Sequence, residues 1–269
     1  MELLNLQPVE SYKTFLKENI RPDGRELMET RQTVLNVGSI STADGSALVK
    51  LGETMVICGV KAELTIPSAE DPGKGIVVPN MEMSALCSSH FKPGPPSEQA
   101  QVITKFLDNL LKSCTVIDTA DLCVMKDKLV WVLYCDLICL NYDGNALDAS
   151  VLALIAALQN VKIPEVTVDD ESGLPHTNME VKKAFATRGM PCATTFTVFD
   201  GSHIIADPTL KEEDITEGNI TVVTDEHDNL IYVQRQGGLA MPEAEMQKCV
   251  KRAVEHGSEM RKLYLAVAS

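Results

Sequence analysis

Asp44-Gly45 and Gly52-Glu53 punctuate three runs of β-forming residues, and this stretch constrains the fold more than any other in the chain. An Asp-Gly pair between extended runs marks a hairpin, because the tight turn needs residues that tolerate positive φ. Strands are expected near 33–40, 46–51 and 54–63, joined as a meander. Such a sheet has an apolar face that must be covered, so helices are the next thing to find. Ala100, Ile103, Phe106, Leu107, Leu110 and Leu111 trace one at helical spacing, entered through the stiff Pro93-Gly94-Pro95-Pro96-Ser97.

The remaining pattern gives two similar halves. Val9, Tyr12, Phe15 and Leu16 predict a short amphipathic helix over 8–18. A long strand over 129–141 leads through Asp143-Gly144-Asn145 into a second apolar helix carrying Leu152, Ile155, Ala156 and Leu158. The acidic, turn-rich run from Asp169 to Pro175 reads as a linker. Beyond it, strands are expected near 193–199, 203–207, 219–224 and 229–235, then a Gly237-Gly238 turn. Met246, Val250, Ala253, Met260 and Tyr264 mark a last helix. Strands, a glycine turn and an apolar helix thus occur twice, a weak internal duplication of an α+β kind. The division is 1–30 entry helix and turn, 31–168 first half, 169–182 linker, and 183–269 second half.

Composition narrows the function classes. No apolar run approaches the ~20 residues of a membrane span, and Met1 to Leu6 lack the pattern of a secretory signal, which points to the cell interior. The eight cysteines lie mostly within apolar runs and read as reduced, buried thiols; Cys135 and Cys139 would share one strand face, and no second pair completes a zinc set. A net charge of −14 disfavours a general nucleic-acid binder, and at 4% aromatic residues no stacking platform for bases is present. About half the charge imbalance falls between Asp207 and Asp228, where eight acids face Lys211 alone. That run reads as a solvated rim, or as a surface for a basic partner. The five histidines are dispersed, with neither metal nor triad spacing.

Arg21-Pro22-Asp23-Gly24-Arg25, the turn ending in Gly45-Ser46-Ala47 and the run Gly52-Glu53-Thr54-Met55-Val56 together resemble the entry to the ribonuclease PH family. That family includes bacterial phosphorolytic nucleases and ring subunits of the RNA exosome, and its fold is built from two related α/β halves. The resemblance runs from about Ser11 to the last helix. Its active members use phosphate to cleave RNA 3′ ends, which calls for a cationic cradle and carboxylates that hold a divalent ion or act as acid.

Three segments correspond to that machinery, and each departs from it. Where active relatives carry an arginine-rich loop, this chain has Lys92-Pro93-Gly94-Pro95-Pro96-Ser97-Glu98, leaving Lys92 as the RNA-proximal candidate. Ser97 reads as a helix cap with Glu98 in the favourable first turn. Where they place Gly-Thr-Arg before a helix, the chain has Asn145, Ala146 and Leu147, then Asp148, read as an N-terminal cap. A carboxylate ~5 Å from a bound phosphate repels it by roughly 3 kcal/mol at an effective dielectric of 20. Where they space two carboxylates six apart, Asp207 and Asp214 stand seven apart, expected to be turn-forming and solvated, or Asp207 to meet Glu213 or Asp214 around a cation.

The resemblance therefore implies a degenerate site with no catalytic residue, metal or cofactor, in a non-catalytic ring subunit. Its implied partners are other ribonuclease-PH-like ring subunits, cap proteins and associated nucleases, with RNA reached through the assembled ring in nucleus, nucleolus and cytoplasm. The alternative is a phosphorolytic 3′-to-5′ exoribonuclease, acting alone or through a site shared with a neighbour.

Overall fold

The computed structural model describes residues 8–114, 116–168, 175–185, 187–199, 203–216, 218–237 and 241–268. The expected meander is β1 (Thr33–Val37), β2 (Gly45–Leu51) and β3 (Thr54–Thr65), extended by β6 (Leu129–Asn141) and β4 (Ile76–Glu82) in the order β1-β2-β3-β6-β4. A short β5 (Cys123–Met125) also pairs with β6. Alternation sorts the two faces. On the inner one, Leu35, Val49, Val56 and Cys139 lie side by side in register, all buried.

β4 was not legible in the pattern. It runs parallel to β6 and carries Pro79, which an edge strand accommodates because one side of its backbone makes no ladder. A parallel pair needs a crossover. That crossover contains α2 (Glu98–Ser113), capped by Ser97, whose hydroxyl accepts from the Ala100 N–H at 3.2 Å. Ahead of the sheet, α1 (Pro8–Lys17) buries Tyr12 and Leu16 against Phe199 and Ile205 of the second half.

The second sheet has the order β10-β9-β11-β12, from β9 (Cys192–Phe199), β10 (His203–Ala206), β11 (Gly218–Thr224) and β12 (Leu230–Gly237). Between the sheets lies α3 (Ala146–Gln159), with 12 of its 14 residues buried. A helix apolar all round belongs in such an interior. Every residue of β9 is buried because α3 covers one face, while Cys249 and Ala253 of α5 (Glu243–Ala268) pack with Phe196 and Val222 on the other. The layers run sheet, helix, sheet, helix.

One expectation changes here. Residues 175–182, taken as linker, run as strand β8 (Pro175–Ala184), which pairs antiparallel with β7 (Lys162–Val168) and so satisfies its backbone in a ribbon. Residues 169–174 and Gly238 lie outside the described residues. The eight cysteines are free, and all but Cys123 are buried.

Candidate functional site

The segments singled out from sequence converge on the mouth of α3. Gly144 turns the chain there with φ +79°, and Asn145 follows at φ 52°. Residues 208–210 lie directly over this turn, so close that a Cβ on Gly144 would sit 2.5 Å from the Leu210 nitrogen. They lead into the short α4 (Leu210–Glu213), fixed by a capping box in which the Glu212 carboxylate accepts from the Thr209 N–H at 2.8 Å.

Asp207 is not solvated. It is 1% exposed and accepts from Arg31 three times, from the backbone N–H at 2.7 Å, Nε at 2.9 Å and Nη2 at 2.8 Å. Asn145 Nδ2 adds a fourth donor at 2.7 Å. Burial alone would raise its pKa, but the Arg31 guanidinium and these donors hold it down to about 2. Arg31 also donates to the Asp143 carbonyl at 2.8 Å, tying the entry segment to both halves. Asp207 is thus the anchor of a buried ion pair.

Asp214 does not join it; its side of α4 is exposed to solvent. The acidic rim is likewise overturned in part, since Asp207 and Glu212 are buried among arginines rather than hydrated. Arg21 explains the first motif. Its guanidinium is 1% exposed, pairs with both oxygens of Glu212, and donates to the carbonyls of Ala206 at 2.7 Å and Asp207 at 3.0 Å. Arg25 braces the same turn through Asp23 at 2.7 Å and Asp207 at 3.3 Å.

Glu213, offered by the sequence only as a cation partner for Asp207, turns elsewhere. Its Oε1 accepts from the Asn145 N–H at 2.8 Å and its Oε2 from the Tyr142 hydroxyl, which in turn accepts from Gln99 Nε2 at 2.6 Å. Burial raises the pKa of Glu213 and, more strongly, that of Tyr142 beside it. An exposed helix start attracts anions through its free N–H groups and dipole. In this protein the chain's own carboxylate is placed at that start. The Thr209-x-x-Glu212 spacing could have signalled a helix here; nothing in the sequence signalled the reach of Glu213.

Asp148 is not a cap either. It is buried and faces the second sheet, accepting from Thr195 N at 2.8 Å, Thr195 Oγ1 at 2.7 Å and Asn145 Nδ2 at 2.8 Å. Asn145 occupies the cap position without a side-chain cap bond. Burial lifts Asp148 to about 6 despite these donors. A carboxyl raised in the fold stabilises fully below its unfolded pKa, near 4, and loses that contribution as pH rises through about 6. At pH 7.5 its charge costs about 3 kcal/mol at 1.36 kcal/mol per unit. Asp148→Asn can keep the network, its amide donating to Thr195 Oγ1, which in turn reaches Thr221 Oγ1 at 3.0 Å. Urea unfolding should show the variant more stable than the parent at pH 7.5, with the gap narrowing towards pH 5. His256, pushed down to about 4 chiefly by burial, titrates alike in both and cancels. A gap independent of pH would show that Asp148 is not protonated on folding.

Ala146 is buried and Leu147 partly buried, both packed within the interior, so neither side chain presents a phosphate ligand. Lys92 is exposed, on the loop preceding α2. Among the described residues, no three His, Cys, Asp or Glu side chains are grouped to hold a metal ion.

Comparison with known proteins agrees with this frame. Residues 29–164 match domain 1 of the 3′ exoribonuclease (RNase PH) family, and residues 189–256 match domain 2. The chain belongs to that family. It is 38% identical over 253 residues to the exosome complex component rrp43 of Schizosaccharomyces pombe, covering 92% of each chain. It is 35% identical over 250 residues to the exosome complex component Rrp42 of Pyrococcus furiosus, covering 93% of this chain and 90% of that one. Among solved structures, it matches a chain of the Archaeoglobus fulgidus exosome with RNA bound to the active site, at TM-score 0.86 and 29% identity, covering 97% of this chain and 99% of that one. Its relatives are therefore exosome components that share its mixed α+β fold from end to end.

Proposed function

We propose that this protein is a non-catalytic ring subunit of an RNA exosome core, the counterpart of exosome component 8. One observation carries the reading: a carboxylate of the chain itself, Glu213, accepts a hydrogen bond at the mouth of α3 where a phosphorolytic enzyme needs an anion site. A second anion there would meet Glu213 head-on, and Asp207 is committed to Arg31 rather than to substrate. Without a phosphate cradle there is no nucleophile to hold. The chain then serves by shape, joining other ribonuclease-PH-like subunits, cap proteins and associated nucleases so that RNA passes through the ring for ribosomal-RNA processing and mRNA turnover. Nucleus, nucleolus and cytoplasm are the compartments this role requires.

The purified chain, given single-stranded RNA, phosphate and magnesium, should release no nucleoside diphosphate. The endogenous protein should co-purify with ribonuclease-PH-like subunits in one complex by native mass spectrometry. Phosphate-dependent release that survives purification and disappears in Glu213→Gln would reverse the assignment in favour of the phosphorolytic alternative.

A further inference from the structure

All but one of the eight cysteines are buried, and none belongs to the site at the mouth of α3. Geometry separates them. Cys135 and Cys139 share a face of β6, but four steps of strand set their Cα atoms roughly 13 Å apart, beyond the ~7 Å that a disulfide spans. Cys58 lies opposite Leu137, and Cys135 opposite Val60, so these two cysteines are diagonal neighbours on β3 and β6. At about 7–8 Å, such a diagonal also exceeds the usual span.

Cys87 and Cys139 differ, because their side chains lie within hydrogen-bonding reach of each other, thiol to thiol. One peptide unit gathers them. The Asn141 carbonyl accepts from Cys139 Sγ at 3.3 Å, and the next N–H along, that of Tyr142, donates to the Cys87 carbonyl at 3.1 Å. Cys87 lies in the turn ahead of Phe91, where its Sγ donates to the Ser84 carbonyl at 3.0 Å and the nearby Leu86 and Ser89 are exposed. One thiol therefore sits beneath a thin surface turn and the other in the sheet. Among the described residues, no third side chain completes a metal site with them.

From this juxtaposition we infer that Cys87 and Cys139 form an oxidation site, a dithiol that hydrogen peroxide converts to a disulfide. The Cys87 sulfur attacks the peroxide: an S–O bond forms, the O–O bond breaks, and the departing hydroxide takes the thiol proton as water. The Cys139 sulfur then attacks Cys87 Sγ, forming the S–S bond as the S–O bond breaks and a second water leaves. Two thiols lose two electrons and two protons, and the peroxide is reduced to two waters. Burial keeps both thiols protonated at neutral pH, so the reaction is slow and calls for a sustained oxidant. The bridge closes a loop of roughly 50 residues, which removes freedom from the unfolded chain. It also pins the turn at Cys87 to the end of β6, beside Tyr142, whose ring lies 5.4 Å from that of Phe91 and whose hydroxyl donates to Glu213. Oxidation thereby stiffens the wall of the site at the mouth of α3.

The test uses the purified full chain, reduced and then held folded in excess hydrogen peroxide. Alkylation after denaturation should find two of the eight thiols missing, and proteolysis without reductant should yield two peptides joined through positions 87 and 139. The thermal midpoint should rise by several degrees and fall back with dithiothreitol. Cys87→Ala and Cys139→Ala should each abolish the bridge and the shift, whereas Cys58→Ala, at a buried thiol outside the pair, should keep both. In Cys139→Ala, dimedone should trap the sulfenic acid left at Cys87. Peptide mapping of the unaltered chain decides the matter even where a variant fails to fold. Three results would overturn the site: both residues still alkylated after prolonged oxidation, a bridge through a different pair, or an 87–139 bridge that forms only once urea has unfolded the chain.

Discussion

Arg21→Met should cost about 3–5 kcal/mol of folding stability, the range for breaking a buried ion pair by removing one partner. The side chains of Arg21 and Glu212 are 0% and 2% exposed. Removing the arginine leaves a charged carboxylate without its counter-ion, and leaves the carbonyls of Ala206 and Asp207 short of a donor. Against a typical total of 5–15 kcal/mol, that is a large fraction. The lost midpoint should appear in urea unfolding followed by circular dichroism. Arg21→Met/Glu212→Leu should recover much of it, because well-packed apolar residues replace a buried pair at little net cost. A single-variant loss below 1 kcal/mol would mean that Glu212 finds solvent when Arg21 is gone.

This network also shows where sequence reasoning stops. The meander, the long strand β6 and the apolar helix α3 were legible because their periods of 2 and 3.6 come from burial of one face or of the whole element. The polar residues at 207–214 were misread for the converse reason. A run of aspartates and glutamates averages to a solvated rim, and only the long-range approach of Arg21 and Arg31, some 180 residues earlier in sequence, turns Asp207 and Glu212 inward. Asp148 was misplaced similarly: first-turn acids usually cap, but here the second sheet delivers Thr195 to its carboxylate. β4 escaped because Pro79 interrupts a strand reading and its partner lies across a crossover.

Gly144→Ala should be the most damaging one-carbon change available at the site. The added methyl would meet the Leu210 nitrogen and the Thr209 carbonyl carbon at 2.5 Å and the Pro208 oxygen at 2.6 Å, all backbone atoms that cannot swing aside. It would also hold alanine at φ +79°, where an L side chain crowds its own backbone at a cost of roughly 1–2 kcal/mol. Overpacking adds about 1–3 kcal/mol. The strain can be relieved only by lifting residues 208–210 from the start of α3, which withdraws Glu213 from the Asn145 N–H and loosens the pairing of Tyr142. Gly24 provides the control. Its φ is +89° with nothing within 4 Å of a built Cβ, so Gly24→Ala carries the dihedral cost without the collision. Thermal and urea unfolding of the two variants should therefore separate them by about the overpacking cost, with Gly144→Ala the weaker protein. Equal losses would show that the 208–210 segment yields freely, and that Glu213 is not held over the mouth of α3 by the packing of the chain around it.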